Sequence, residues 1–217
     1  MSLLNSSLSV IFDLDGTLVD SLPGITRSIQ HALRVYDVAV TPGQVRELIG
    51  PPIKDVLRKI ASSASEAELI LVEQDFRAAY DSNGWKETNP FPSTQETLQR
   101  LQQLGVRLFL FTNKPEKAAT RIVSKLDLDR FFVDRFSKDS REPAFKSKDE
   151  MLQELMTKHS LSAETCIVVG DSHEDFQAAR KLSIRFVFAN YGYGQLSPED
   201  RNISVRQIDN LSAMLSL

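Results

Sequence analysis

The sequence has a single cysteine, no long apolar run and no excess of basic residues. With Cys166 alone, no disulfide can form within the chain, and its position in an apolar run is typical of a small buried core residue. No apolar stretch approaches the ~20 residues that a membrane-spanning helix needs. A formal net charge of -3 and a pI of about 5.7 give none of the basic character that nucleic-acid binding requires.

These absences leave a reducing, cytoplasmic setting as the expected one. Residues 1–9 contain no basic residue, so no signal peptide is expected. Because the overall charge is weakly negative, an anionic substrate would have to be attracted by a local positive site or by a metal ion. With 217 residues, 41% of them hydrophobic and 25% charged, the chain is an ordinary globular protein of one large domain, or of one domain with a smaller insertion.

Two kinds of pattern divide the chain. From residue 21 to residue 80, apolar residues recur at helical spacing and no strand intervenes, which predicts a small helical unit. From residue 89, apolar runs and helical patterns alternate, which is typical of a parallel sheet. We therefore predict an α/β fold, a Rossmann-like parallel sheet with helices on both faces, formed by residues 1–18 and 86–217. Residues 19–85 form the helical insertion.

The first apolar run, residues 10–12, ends in a pair of carboxylates. Asp13 and Asp15 follow this predicted buried strand, and Gly16 and Thr17 close a turn. Ligands of open α/β sheets bind at the carboxyl ends of the strands, and Mg²⁺ prefers oxygen ligands of this kind. Asp and Gly are also common turn residues, so these residues alone leave a simple turn equally open.

Polar residues follow two further predicted strands. Thr112 and Asn113 end one of them, and they favour either a phosphate site or the cap of the next helix. Gly170 and Asp171 end another strand, and Asp175 lies one helical turn further on. A cluster of acids that caps a helix explains part of this pattern, but it does not explain why two strands end in aspartate.

A cation that neutralises phosphate and clustered carboxylates is also expected. Lys146 and Lys148 compete for that role. His173 is the only histidine near the proposed site, and it is expected to be a surface residue at the start of a helix rather than a metal ligand.

Together these residues resemble the four ordered motifs of the haloacid dehalogenase-like hydrolases, within them the phosphoglycolate phosphatase-like branch. The residues that carry the resemblance are 13–17, 112–113, Lys146 and 170–175. The likeness covers nearly the whole chain, including a helical insertion directly after the first motif, where that branch carries its cap domain. It implies a Mg²⁺-dependent phosphatase that acts on a small organic phosphate monoester.

The resemblance also implies a role for each matching residue. Asp13 would be the nucleophile that becomes an aspartyl-phosphate, and Asp15 the acid that protonates the leaving oxygen and later the base that activates water. Mg²⁺ would be held by the carboxylates of Asp13 and Asp171 and by the backbone carbonyl of Asp15. Thr112 and the amide of Asn113 would hold phosphoryl oxygens, and Lys146 would bind the phosphate and neutralise its charge. Asp175 would support the metal site or the lysine.

Spacing within the family favours Lys146 over Lys148, although Ser147 stands where the family commonly has proline. Asp15 together with Thr17 favours phosphate substrates over halogenated ones. Two other functions stay open from the sequence. One is a sugar phosphomutase on the same core, and the other is a regulatory or binding protein that retains the phosphatase scaffold.

Overall fold

The computed structural model describes residues 8–36, 38–201 and 205–216. Most of the segment examined for a signal peptide lies outside these residues. The chain divides into two compact units, of which the first comprises Met1–Val19 with Pro90–Leu217 and the second comprises Asp20–Asn89. Among the described residues, no helix combines the length and hydropathy that crossing a bilayer requires.

The first unit is built on a six-stranded sheet in which all described pairs of strands are parallel. Its strand order is β5-β4-β1-β6-β7-β8. The strands are β1 (Ser9–Phe12), β4 (Arg107–Thr112), β5 (Asp134–Ser137), β6 (Cys166–Gly170), β7 (Arg185–Ala189) and β8 (Arg206–Ile208). Two short strands, β2 (Val19–Asp20) and β3 (Asn89–Pro90), form a separate two-stranded sheet where the chain passes from one unit to the other.

Helices follow the strands in alternation, as the sequence pattern predicts, and pack against the sheet. They are α5 (Thr94–Gln103), α6 (Glu116–Lys125), α7 (Lys148–Lys158), α8 (His173–Lys181) and the short α9 (Pro198–Arg201). The predicted α/β fold with a parallel sheet is therefore confirmed.

The central strands β1 and β6 consist mainly of apolar residues, as is typical of strands that are covered on both faces. Every residue of β1 and β6 is buried, and the largest fully buried side chains of the sheet include Phe12, Phe109 and Phe111. Burial of a side chain of this size contributes about 1.5–3 kcal/mol to folding. Cys166 lies in this core, where burial raises the pKa of its thiol to about 11. It is an inert core residue rather than a nucleophile.

The second unit is helical, with α1 (Leu22–Leu33), α2 (Pro42–Leu48), α3 (Ile53–Ile60) and α4 (Glu66–Ser82). The start of α2 is as the sequence predicts, because Thr41 caps it and Pro42 occupies its first position. The Thr41 side chain accepts a hydrogen bond from the backbone N–H of Gln44, and Ser65 makes the equivalent contact at the start of α4.

The sequence pattern predicts a strand over residues 131–136 and a helix over residues 175–182, and the structure moves the start of each. The strand, β5, begins at Asp134, after a 3-10 turn at Asp129–Phe131. The helix, α8, begins at His173. The reason is that Ser172 is the cap, and its hydroxyl accepts from the Asp175 backbone N–H. Asp175 thus lies within the first turn of α8.

Candidate active site

The sheet brings the two predicted carboxylate-bearing strand ends side by side. β1 pairs in parallel with β6, so that Phe12 lies opposite Val169, and the backbone N–H of Asp13 donates to the Val169 carbonyl at 2.9 Å. On its other side β1 pairs with β4, which ends in Thr112. The strands before Asp13 and Asp171 are therefore neighbours in the sheet.

Three aspartates form a buried cluster at this edge of the sheet. One carboxylate oxygen from each of Asp13, Asp171 and Asp175 lies within 4.8 Å of the others. The residues are 5%, 3% and 0% exposed, respectively. Three carboxylates that are this close together and this deeply buried require positive charge to offset their repulsion.

Lys148 supplies part of that charge. Its Nζ lies 2.6 Å from Oδ1 of Asp13 and 2.5 Å from Oδ1 of Asp175, and the side chain is 5% exposed. The ring of Phe111 lies beneath the ammonium, 4.6 Å from Nζ to the ring centroid. Lys148 therefore joins two of the three carboxylates in one buried ion-pair network.

This placement corrects the preference for Lys146. Lys146 is exposed, and its backbone N–H donates to Oε2 of Glu150 at 2.8 Å. This hydrogen bond and the charge of the Lys146 side chain both lower the pKa of Glu150, which is not one of the clustered carboxylates. The start of α7 explains the difference, because Ser147 caps the helix and Lys148 becomes its first residue. Phe145 is buried on the other side of Lys146 and fixes the path of the loop. The lysine beside the carboxylates is thus Lys148.

The cluster shifts the pKa values of its members. Burial raises the pKa of Asp13 well above its usual range, although the Lys148 ammonium opposes the shift. Burial, reinforced by the charge of Asp175, raises the pKa of Asp171 to about 6. Burial alone would lower the pKa of Lys148, but Asp13 and Asp175 outweigh it and raise that pKa above its usual value. The lysine is charged at any physiological pH.

Asp175 is fixed by its own helix. Its Oδ2 accepts from the backbone N–H of Ser172 at 3.0 Å and from the Ser172 hydroxyl at 2.5 Å, while Oδ1 faces the Lys148 ammonium. Gly170 allows this arrangement, since a Cβ there would lie 2.4 Å from the Asp175 carboxyl carbon. Asp175 thus anchors the lysine.

Asp171 is held by backbone groups of the loop after β7. Its Oδ2 accepts from the N–H of Tyr193 at 2.8 Å and from the N–H of Gly194 at 3.1 Å. Gly192 leaves the space that this carboxylate fills, because a Cβ there would lie 2.6 Å from Oδ2. A Cβ at Gly16, whose φ of +83° also favours glycine, would lie 2.1 Å from the same oxygen. The carboxylate therefore has a single orientation.

Asp15 has a different partner. Nζ of Lys114 lies 3.1 Å from its Oδ1 and 3.0 Å from its Oδ2. The Asp15 side chain is 23% exposed, whereas that of Lys114 is 6% exposed. The two predicted catalytic carboxylates, Asp13 and Asp15, are thus each paired with their own lysine.

Thr112 and Asn113 do not cap the following helix with their side chains. The cap of α6 is Pro115, and no side chain bonds to that helix end. The buried Thr112 hydroxyl accepts from the backbone N–H of Lys114 at 3.2 Å, and the Asn113 side chain donates to Oε2 of Glu174 at 2.6 Å. The alternative prediction of a helix cap is wrong for these two residues.

Comparison with known proteins identifies the family of this chain. Residues 10–189 match the family model of the haloacid dehalogenase-like hydrolases, which is most of the chain. The chain belongs to that family. The phosphoglycolate phosphatase of Vibrio parahaemolyticus is 32% identical over 217 residues, covering 96% of this chain and 94% of that protein.

Other relatives of this haloacid dehalogenase-like hydrolase include one with a different name and one of known structure. The tyrosine-protein kinase PtkA of Mycobacterium tuberculosis is 33% identical over 187 residues, which is 86% of this chain and 63% of the kinase. The crystal structure of a predicted phosphoglycolate phosphatase from Haemophilus somnus superposes with a TM-score of 0.86 at 27% identity, covering 100% of this chain and 98% of that one. The family and its phosphatase relatives make this chain a phosphatase.

Sequence reasoning missed several groups of the hydrolase site. Lys114 directly follows the motif residues 112–113, and its position at the end of a strand could have indicated that it belongs to the site. The amides of Tyr193 and Gly194 have no side-chain signature, although the glycines at 192 and 194 after a predicted strand marked a close backbone approach. His173 lies outside the acidic cluster, where its Nδ1 is 2.8 Å from Oδ2 of Asp200.

Proposed function

We propose that the chain is a Mg²⁺-dependent phosphatase that hydrolyses a small organic phosphate monoester through an aspartyl-phosphate on Asp13. The observation that carries the proposal is the buried pair of Asp13 and Asp171 at the carboxyl ends of two paired strands, with the Lys148 ammonium 2.6 Å from Asp13. A carboxylate nucleophile between a cation and a potential metal ligand suits phosphoryl transfer, because that reaction depends mainly on positioning and charge neutralisation.

In the proposed reaction, a carboxylate oxygen of Asp13 attacks phosphorus and the bond from phosphorus to the ester oxygen breaks. Asp15 donates a proton to that oxygen, so that the alcohol leaves neutral. Asp15 then takes a proton from water, whose oxygen attacks phosphorus and restores Asp13. Thr112, the amide of Asn113 and Lys148 would hold phosphoryl oxygens or offset their charge.

The residues present fit a magnesium ion. The cluster offers only carboxylate oxygens, which are the ligands of hard cations. Asp13 and Asp171 would hold the ion with the backbone carbonyl of Asp15, whereas both oxygens of Asp175 already have partners in Ser172 and Lys148. When bound, the ion would draw negative charge from the phosphoryl oxygens.

The pKa of Asp171 makes metal binding depend on pH. A carboxylate with a pKa of about 6 keeps its proton below that pH, and the proton competes with the metal. We expect the Mg²⁺ affinity to be about tenfold lower at pH 5 than at pH 7, since about nine-tenths of such a group is protonated at pH 5. Isothermal titration calorimetry of the protein without substrate measures this directly.

Because the proposed reaction needs Mg²⁺ at this site, we expect EDTA to remove phosphatase activity and added Mg²⁺ to restore it. Equal Mg²⁺ affinity at pH 5 and pH 7 would contradict the assignment of Asp171 as a ligand. Unchanged turnover in excess EDTA would contradict the metal requirement itself.

We propose, further, that the helical unit Asp20–Asn89 is the cap domain that selects the substrate. Support comes from its place in the chain, directly after the motif that contains Asp13 and Asp15, where the phosphoglycolate phosphatase-like branch carries its cap. The names of the relatives favour a substrate of the phosphoglycolate or sugar-phosphate type.

The experiment that tests the function is a phosphate-release screen with Mg²⁺ across small phosphorylated metabolites, including 2-phosphoglycolate and hexose phosphates. We expect release from at least one monoester, with the Asp13→Asn protein as a blank for contaminating phosphatases. Isomerised sugar phosphate with little free phosphate, dependent on a bisphosphate activator, would indicate a mutase instead. No release from any ester would favour a binding protein on this scaffold.

A further inference from the structure

The loop after β7, residues 191–194, lies against the turn that follows β1. The Tyr191 hydroxyl donates to the Thr17 backbone carbonyl at 2.8 Å. One residue further on, a Cβ at Gly192 would lie 2.4 Å from the carbonyl oxygen of Gly16, so a larger residue would push the loop away from the turn. Two consecutive residues of the loop thus contact two consecutive residues of the turn.

The same loop holds one oxygen of the Asp171 carboxylate. The backbone N–H groups of Tyr193 and Gly194 both donate to Oδ2, at 2.8 Å and 3.1 Å. Oδ1 accepts from the Thr17 hydroxyl at 3.4 Å, which is long and weak for a hydrogen bond between two oxygens. The loop therefore occupies Oδ2 and leaves Oδ1 as the oxygen that can bind a cation.

Aromatic packing fixes the ring of Tyr191. Phe91 contacts it edge-on, with the ring centroids 5.1 Å apart and the ring planes at 72°. Phe91 is tied to the same turn, because its backbone N–H donates to the Leu18 carbonyl at 3.0 Å. The Thr94 hydroxyl donates to that carbonyl at the same distance. The Tyr191 ring is thus held by a neighbour that is itself bonded to the turn.

The Tyr191 hydroxyl is a donor at every physiological pH. Burial, reinforced by the charge of Asp171, raises the pKa of this hydroxyl above its usual value. The hydroxyl contacts the turn at Thr17, whereas the amides two and three residues later contact Asp171. Any effect of the hydroxyl on the carboxylate therefore passes through the backbone of the loop.

We propose that Tyr191 is a positioning residue of the metal site, whose hydroxyl keeps the loop amides on Oδ2 of Asp171 and the other oxygen available to Mg²⁺. The physical reason is preorganisation, since a carboxylate that is already held loses less conformational freedom when it binds an ion. This inference rests on the proposed function, because it requires Asp171 to be a magnesium ligand.

The decisive measurement is the Mg²⁺ dissociation constant of Tyr191→Phe, obtained by isothermal titration calorimetry of the whole chain at neutral pH without substrate. Phenylalanine keeps the ring that contacts Phe91 and removes only the hydroxyl. We expect the dissociation constant to rise about 3- to 10-fold, because the lost hydrogen bond supports a partner of the ligand and not the ligand itself. At saturating Mg²⁺, kcat should stay within about twofold of the wild type.

Thermal midpoints separate positioning from a general loss of stability. A purely structural defect lowers the midpoint equally in EDTA and in Mg²⁺, whereas weaker binding reduces the rise that a fixed Mg²⁺ concentration produces. We expect the smaller rise in Tyr191→Phe. Tyr191→Leu removes the ring as well and should weaken Mg²⁺ binding at least as much.

Tyr36→Phe is the matched control, because it removes a tyrosine hydroxyl from the helical unit Asp20–Asn89. Its Mg²⁺ dissociation constant should stay within about twofold of the wild type. An equal loss of affinity in Tyr36→Phe and Tyr191→Phe would count against a specific role of Tyr191.

Unchanged Mg²⁺ affinity in a folded Tyr191→Phe protein would overturn the inference, even if Tyr191→Leu bound the ion more weakly, because the ring and not the hydroxyl would then act. Failure of the proposed metal site is a different result. In that case the wild type would bind no Mg²⁺, or Asp171→Asn would bind it as tightly as the wild type, and Asp171 would have no ion for Tyr191 to serve.

Discussion

Asp13→Asn should abolish phosphate release, with kcat at least about 10³-fold below that of the wild type. An amide oxygen is a far weaker nucleophile than a carboxylate, and loss of a covalent step removes the main route of catalysis. Initial rates of phosphate release with saturating substrate and Mg²⁺ measure the effect. In addition, acid-quenched wild-type protein should show a mass increase of one phosphoryl group, which is absent from the variant.

The fold should tolerate this substitution. Burial and the neighbouring charges of Asp175 and Asp171 raise the pKa of Asp13, so a neutral side chain relieves repulsion at this position. Lys148 keeps Asp175 as its partner at 2.5 Å. We expect a free energy of unfolding within about 1 kcal/mol of the wild type. Wild-type turnover by a folded Asp13→Asn protein would exclude Asp13 as the nucleophile.

The sheet and its acidic tips were predictable because they depend on local pattern. Buried parallel strands are continuous apolar runs. Residues 10–12 form such a run and are followed by Asp13, and residues 166–169 form another and are followed by Gly170 and Asp171. Parallel strands present their carboxyl ends at one edge of the sheet. Two apolar runs followed by aspartate were therefore enough to predict that the carboxylates lie at one edge of the sheet. The structure adds that the two strands are direct neighbours.

The lysines were not predictable in the same way. The position of Lys148 depends on which residue caps α7, and Ser147 fixes that start through a single hydrogen bond from Glu150. If α7 began two residues earlier, Lys146 and not Lys148 would be its first residue. Lys114 follows β4 and contacts Asp15, which follows the neighbouring strand β1. This is a tertiary contact between residues 99 positions apart. Spacing along the chain does not encode such a contact.

Lys148→Met should lower kcat by at least about 10³-fold and also destabilise the protein. Methionine keeps the length and apolar stem of lysine but leaves Asp13 and Asp175 facing each other without the ammonium between them. Removal of one partner from a buried ion pair costs about 3–5 kcal/mol. Without the lysine, the pKa of Asp13 rises further, because the ammonium that opposes the shift is gone.

The destabilisation should depend on pH, with a sign that follows from these carboxylates. The pKa values of Asp13 and Asp171 are raised by burial, so the folded state is favoured while these two carboxyls are protonated, and this contribution is lost as the pH rises and they ionise. Urea unfolding should therefore show a larger deficit for Lys148→Met at pH 8 than at pH 5. Enzyme assays at pH 7 give the loss of kcat.

Lys146→Met is the matched control, because it removes an exposed lysine two residues away whose charge acts on the exposed Glu150 and not on the buried carboxylates. We expect turnover within twofold of the wild type and a change in unfolding free energy below about 0.5 kcal/mol. If Lys146→Met lost activity while Lys148→Met kept it, the spacing argument would be right and the buried ion pair would be structural only. If both kept activity, neither ammonium would serve phosphoryl transfer, and Lys114 would be the cation left to do so.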